Sequence, residues 1–157
     1  MPRQPDFDVV AAHRFFAADC FNRAWDLITK TDRTAEEGRL MESLGQASIF
    51  HWTRRPDCTD RNMSIGYWQV SRIAAILGHA AEARRHGETC LAYSGALDPF
   101  YQGYAHEALA RAALVACDAA RAAEHLAKAE ALLAEVTDKE SRDLLTPDLA
   151  ELRRGAG

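Results

Sequence analysis

Apolar residues recur along the chain at intervals of three and four positions, the period of an amphipathic α-helix. From about Phe7 to Lys30 the apolar stripe is expected to comprise Val10, Phe15, Phe16, Phe21, Trp25 and Ile28. A break of this first helix near Asp19 is an open alternative. In the second helix the predicted stripe comprises Leu40, Leu44, Ala47 and His51. These stripes are expected to face a shared core.

Capping and helix-breaking residues divide the rest of the chain. Thr34 with Glu37 is a capping box for the second helix, and Thr137 with Glu140 is one for a last helix. Pro56 ends the second helix near Arg55. Further helices are predicted over Arg61 to Leu77, Ala80 to Tyr93 and Pro99 to Cys117, with Gly78 as a C-terminal cap, and a sixth begins after Asp118. No segment shows the alternation of a strand, so the fold class is all-α with about seven helices.

An internal repeat of 39 residues appears when Gly78 is aligned with Cys117. It matches Tyr67, Val70, Ser71, Ala74, Ala83, Cys90 and Leu91 with His106, Leu109, Ala110, Ala113, Ala122, Ala129 and Glu130. The pattern resembles the tetratricopeptide repeat (TPR) from about Ile65 to Leu133, although Gly87 and Cys117 depart from its consensus. The resemblance implies one TPR-like domain over residues 1–157, in which antiparallel helical hairpins stack as a short right-handed superhelix and the last helix caps the array.

A narrower resemblance rests on four strings: FNRAW at 21–25, ASIFHW at 47–52, YWQVSR at 67–72 and EALARA at 107–112. They are similar to an uncharacterised group of bacterial repeat-like proteins. Because no activity is established for that group, the resemblance supports the fold and transfers no catalytic residue.

Composition narrows the function classes. A formal net charge of −4 without a clustered basic face disfavours nucleic acid and anionic membranes as partners. The chain has no apolar run of membrane-spanning length, and its first ten residues lack the apolar core of a secretory signal. Four widely spaced cysteines suit reduced thiols. We therefore expect a cytoplasmic protein.

His51 and Trp52 are the first candidate binding residues. His51 falls on the predicted apolar stripe of the second helix, where a polar group needs a hydrogen-bond partner. A general base or a ligand-binding group is one interpretation. A core histidine bonded to a neighbouring group is the more common one.

The third and fifth helices supply the other candidates. Trp68 and Arg72 are four residues apart, so the guanidinium can lie against the indole. Tyr104, Glu107 and Arg111 are spaced by three and four residues and share one face. If the first helices of successive hairpins line a concave groove, these five residues form one patch. The alternative for Glu107 and Arg111 is an ordinary ion pair on a solvated surface.

No motif with diagnostic spacing points to catalysis, a cofactor or a metal. The six histidines include no HxxxH or HExxH pair, and the chain has no GxSxG elbow or glycine-rich phosphate loop. Ser48 lies three residues before His51, but that spacing alone indicates nothing. An enzyme is therefore the less favoured class.

Two functions remain. The leading one is a scaffold or adaptor module that binds a peptide or partner protein along an open groove of helices three and five, with a homodimer through an apolar end as a further expectation. The alternative is a small-molecule-binding protein or cofactorless enzyme with a pocket between helices two, three and five. An enclosed concavity of several hundred Å³ around His51 would favour the alternative.

Overall fold

A computed structural model describes residues 5–156. Residue 157 lies outside the described part, and so do residues 1–4, the start of the ten-residue segment that lacks the apolar core of a secretory signal. The described residues form seven α-helices and no strand, which confirms the predicted all-α class. The helices are α1 (Val9–Thr29), α2 (Ala35–Thr53), α3 (Asp60–Ile76), α4 (Ala80–Ser94), α5 (Pro99–Val115), α6 (Ala119–Glu135) and α7 (Lys139–Ala156).

Most helix ends lie where the capping residues predict them. Thr34 and Glu37 form the expected capping box, and Asp118 caps α6 through the Arg121 N–H. Two details differ. The first helix runs through Asp19 without a break. The predicted capping box of Thr137 and Glu140 is wrong by one residue, because Asp138 accepts the Ser141 N–H at 2.8 Å and its charge suits a helix N-terminus.

Contacts within the chain define two compact units, Met1–Thr59 and Asp60–Gly157. The first contains α1 and α2, packed against each other through small residues. Ala17 and Ala24 of α1 and Gly45 of α2 are buried, and the Ser48 hydroxyl donates to the Ala17 carbonyl at 2.7 Å. Small side chains and this bond hold the two helices close together. The expected single domain over residues 1–157 stays a prediction.

The predicted apolar stripes of this unit are wrong in detail. In α1 the buried residues are Ala17, Cys20, Ala24 and Ile28, whereas Phe15 is 62% exposed and Phe16 is 42% exposed. In α2, Met41 is fully buried and Leu40 is 44% exposed. A face of small residues has the same helical period as a face of bulky ones, and here close helix packing selects the small face. His51 consequently lies half-buried at the flank of α2.

The second unit contains two helical hairpins and a final helix. Helix α3 pairs with α4, and α5 pairs with α6, while α5 also packs on α3 and α4. Helix α7 packs on α5 and α6 in the same way. It buries Leu145, Leu149 and Leu152 against Ala110 and Leu126. The last helix therefore covers the apolar side of the second hairpin.

The 39-residue repeat has a backbone counterpart. Gly78 and Cys117, the aligned turn residues, both have positive φ angles, +79° and +57°. After α3 the His79 N–H donates to the Ala74 carbonyl at 2.8 Å, and after α5 the Asp118 N–H donates to the Ala113 carbonyl at 2.9 Å. Both helices thus end in the same left-handed turn.

None of the helices within residues 5–156 combines the length and the apolar character that a membrane span requires.

Candidate functional site

The five candidate residues of helices three and five lie together in the second unit. They form a network with two carboxylates of α7, which we call the polar cluster: Trp68, Arg72, Tyr104, Glu107, Arg111, Asp148 and Glu151. The predicted grouping of the five residues on α3 and α5 is visible in these contacts. No pattern in the sequence indicates the participation of α7.

Glu107 is the centre of the polar cluster and is completely buried. Its Oε2 accepts the Trp68 indole N–H at 2.9 Å, and its Oε1 accepts two guanidinium N–H groups of Arg111 at 2.9 and 2.7 Å. Glu107 and Arg111 therefore form the predicted ion pair four residues apart, but the expectation that it lies on a solvated surface is wrong. A buried carboxylate requires such partners, because an unpaired charge inside a protein is very costly.

Asp148 and Glu151 of α7 engage the other members. The Tyr104 hydroxyl donates to Asp148 at 2.9 Å, and Arg72 lies 3.6 Å from the same carboxylate. Burial and the Asp148 charge raise the pKa of the Tyr104 phenol well above its usual value, so the phenol stays protonated and acts as a donor. Arg111 donates to Glu151 at 2.9 Å, and this bond lowers the pKa of Glu151.

These bonds give the polar cluster a structural role within the unit. The α7 carboxylates occupy hydrogen-bonding positions that an external peptide would need at Tyr104 and Arg111. The Trp68 ring packs edge-on against the Tyr104 ring, with centroids 5.2 Å apart, and the Arg72 guanidinium lies 5.8 Å from the Trp68 ring. At this place Asp148 and Glu151 of α7 lie against the side chains of α3 and α5 that are predicted to line an open groove.

His51 and Trp52 belong to the first unit. The His51 Nδ1 lies 2.8 Å from the Nδ1 of His13, so one ring donates a hydrogen bond to the other. Burial, and then the neighbouring His13, lower the pKa of His51. The Trp52 ring is covered by the Arg55 guanidinium at 3.8 Å, which also pairs with Asp57 at 2.7 Å. The alternative pocket between helices two, three and five stays a prediction.

The second unit has a cleft that sequence reasoning missed. It has a volume of about 590 Å³ and lies above α5, between α4 and α6, whose backbones do not contact each other in the described part of the chain. Its floor is formed by Leu109, Ala112 and Ala113 of α5 and by Ala116, the residue that follows this helix. Its α4 wall is formed by Ala80, Ala81, Arg84, Glu88 and Leu91, and its α6 wall by Asp118, Arg121 and His125.

Two features of the sequence could have indicated this cleft. The floor residues follow one another at helical spacing and are small, apart from Leu109. Gly87 allows α4 to approach α5 closely, since a Cβ there would lie 2.9 Å from Leu109 Cδ2. In the sequence, Gly87 stands out only as a departure from the repeat consensus. Close packing of α4 on α5 leaves α4 and α6 as two separate walls.

A second histidine pair borders the cleft. The Nδ1 atoms of His125, in the α6 wall, and His106 lie 3.1 Å apart, with the rings stacked at 5.3 Å. Burial, and then His125 and Lys128, lower the pKa of His106 to about 4. Thirty-nine residues earlier, Tyr67 packs on His86 at 6.0 Å. The aromatic pair is therefore a feature of both hairpins.

The cleft combines an apolar floor with charged walls; in the floor, Leu109, Ala112 and Ala113 are buried and Ala116 is exposed. Its walls carry both charge signs, with Arg84 3.8 Å from Glu88 and Arg121 3.7 Å from Asp118.

No protein-family model, curated protein or solved structure matches the chain.

Proposed function

We propose that the chain is a tetratricopeptide-repeat-like interaction module that binds an amphipathic helix of a partner protein in the cleft between α4 and α6. The observation that carries this proposal is the cleft itself, with its floor of Leu109, Ala112, Ala113 and Ala116. It replaces the groove of α3 and α5 as the binding place, because α7 occupies the polar cluster there.

The proposed occupant is helical because of the backbone. The cleft walls are helices, which pair their own N–H and C=O groups, so they offer no strand edge to an extended peptide. A helix satisfies its own backbone and presents apolar side chains at intervals of three and four residues. The alanines of the floor allow such a helix to approach α5 closely.

The walls fit the polar flanks of an amphipathic helix. Arg84 and Glu88 stand on one wall, and Asp118 and Arg121 on the other, so each wall offers both charges. These intrahelical pairs are exposed and longer than hydrogen bonds, at 3.8 and 3.7 Å. Exposed pairs of this kind are weak and exchange partners at small cost.

On the sequence arguments alone, we propose that this scaffold or adaptor acts in the bacterial cytoplasm.

A small-molecule function is the second candidate. A volume of about 590 Å³ lies within the range of ligand pockets. The guanidinium groups of Arg84 and Arg121, on facing walls, suit an organic anion whose apolar body covers Leu109. This candidate shares the cleft with the first and differs in the occupant.

A display library of helical peptides tests the first candidate. Binders selected on the wild-type chain are expected to carry apolar residues at steps of three and four. Ala81→Trp, at an exposed position of the cleft wall, should weaken their binding at least about tenfold. Ala123→Trp, at an exposed position of α6 outside the cleft, is the matched control and should leave binding unchanged.

Two results would count against helix binding. Selected peptides that bind the Ala81→Trp chain as tightly as the wild type would place their site elsewhere. Thermal stabilisation by decanoate that is lost in Ala81→Trp, without any peptide binder, would favour the small-molecule function.

A further inference from the structure

The exposed apolar residues of the chain are concentrated in its first unit. Of the nine large hydrophobic residues with high exposure in the described part of the chain, only Leu144 belongs to the second unit. The other eight are Phe7, Val9, Val10, Phe15, Phe16, Trp25, Leu40 and Phe50. Large exposed apolar patches mark interaction surfaces on soluble proteins.

Part of this surface is a connected group of rings, which we call the aromatic cluster: His13, Phe15, Phe16, Phe50 and His51. Phe16 lies 5.2 Å from Phe15 and 5.4 Å from His51, between ring centroids. Phe50 lies 5.9 Å from His13 and 5.3 Å from His51. Phe15, Phe16 and Phe50 are 62%, 42% and 56% exposed. The cluster thus joins the N-terminal half of α1 to the end of α2.

We propose that the aromatic cluster is a self-association surface through which two copies of the chain pair across a two-fold axis, so that α1 and α2 of both copies form a four-helix arrangement. A two-helix hairpin buries only the faces that its helices turn towards each other. Pairing with a second hairpin is the common way to cover the remaining apolar flank.

The exposed area agrees with what a dimer needs. At about 200 Å² for a phenylalanine side chain, the exposed parts of Phe15, Phe16 and Phe50 amount to about 300 Å². Val9 and Val10, one turn before His13, raise this to about 400 Å² per copy. Two copies would bury about 800 Å² of apolar surface, which corresponds to an interface of about 1,400 Å² at the ordinary apolar share of about 57%. Stable interfaces bury about 1,200–2,000 Å².

The chemistry of the aromatic cluster suits contact with the same cluster of a second copy. Near a two-fold axis each residue lies close to its equivalent in the other copy, so a charged centre would repel itself. None of the five rings carries a permanent charge. The two histidines bond to each other through their Nδ1 atoms at 2.8 Å, which satisfies one nitrogen of each ring inside the cluster. The Nε2 atom of each ring then needs a position at the edge of the interface or a partner from the second copy.

Sedimentation equilibrium of the full chain at neutral pH and micromolar concentration tests the proposal. The wild type should give twice the monomer mass of 17.4 kDa. Phe15→Glu and Phe50→Glu should each raise the dimer dissociation constant about 30-fold or more, since they place charges in the interface. The matched control is Leu144→Glu, at a residue 56% exposed in the second unit, and it should leave the constant unchanged.

Circular dichroism establishes that each variant keeps its helices, which is expected because the substituted side chains are exposed. A wild-type monomer overturns the proposal, and so does a dimer that Phe15→Glu and Phe50→Glu leave intact. A wild-type monomer that binds phosphatidylcholine vesicles, with binding lost in both variants, would assign the cluster to a lipid surface instead.

Discussion

The indole N–H of Trp68 donates a hydrogen bond to Glu107 Oε2 at 2.9 Å, and the two residues are 39 positions apart, which is the period of the internal repeat. Equivalent positions of α3 and α5 therefore touch. Glu107 is completely buried, and the Arg111 guanidinium occupies its second oxygen. The contact between the two hairpins consequently contains a charge that is stable only with both partners.

Glu107→Ala should destabilise the chain strongly. The substitution removes the acceptor of Trp68 and leaves the largely buried Arg111 guanidinium without its main partner. The loss in free energy of unfolding should be about 3–5 kcal/mol, measured by urea denaturation followed by circular dichroism.

The control for Glu107→Ala is the double variant Glu107→Leu with Arg111→Met. It removes both charges and fills their space with apolar groups, so it should recover much of the lost stability. A double variant less stable than Glu107→Ala would show that the pair contributes more than the mutual neutralisation of its charges.

The two equivalent turns predict opposite effects of substitution. Gly78→Ala should cost about 1 kcal/mol of stability, because the new Cβ meets no atom within 4 Å and the only penalty is the φ of +79°. Cys117→Gly should gain up to about 1 kcal/mol, because it relieves the same strain at a φ of +57°. Thermal melting of both variants checks these two predictions. Melting temperatures that shift in the same direction would contradict the shared left-handed turn.

Acid should weaken the second unit through the His106 and His125 pair. The pKa of His106 is about 4 in the folded chain, below the usual histidine value of about 6.5, so the unfolded chain binds this proton more readily. The stability due to neutral His106 is complete above pH 6.5. This contribution is lost as the pH falls towards 4, and the loss does not increase further at lower pH.

His106→Tyr tests this pH dependence. The new residue is the one found at the equivalent position of the α3–α4 hairpin, Tyr67. Between pH 7 and pH 5 the wild type should lose more free energy of unfolding than the variant, by on the order of 1 kcal/mol. His125 remains in the variant, and its pKa is also lowered by burial, so some acid sensitivity should persist. Equal losses in urea titrations would refute the assignment to His106.

Gly103 controls the docking of α7. A Cβ at this position would lie 2.8 Å from Cδ2 of Leu145, a side chain that is completely buried. Gly103→Ala should therefore destabilise the chain by about 1–3 kcal/mol, although alanine favours a helix. Gly95→Ala is the control: its Cβ meets only the Ala92 carbonyl at 3.8 Å, and its φ of −57° is ordinary. Denaturant midpoints should fall for the first variant and hold or rise slightly for the second.

Local signals explain what could be predicted. Thr34, Gly78 and Asp118 act on groups within a few residues of themselves, so helix ends can be read from the chain. The spacing of Tyr104, Glu107 and Arg111 likewise places them on one face of α5. The same spacing cannot choose between two stripes of equal period, which is why Phe15 and Phe16 were wrongly assigned to the core of α1.

By itself, the sequence determined the all-α class, seven helices, the repeat period and the shared face of the α5 candidates, because each depends on residues within a few turns. Only the tertiary structure decided what lies opposite those faces. His51, Tyr104 and Glu107 bond to His13, Asp148 and Trp68, which are 38, 44 and 39 residues away from them. The cleft exists because α4 and α6 both pack on α5 without meeting each other. Helical period fixes the direction of a side chain, but packing between distant segments decides whether it is buried, bonded or exposed.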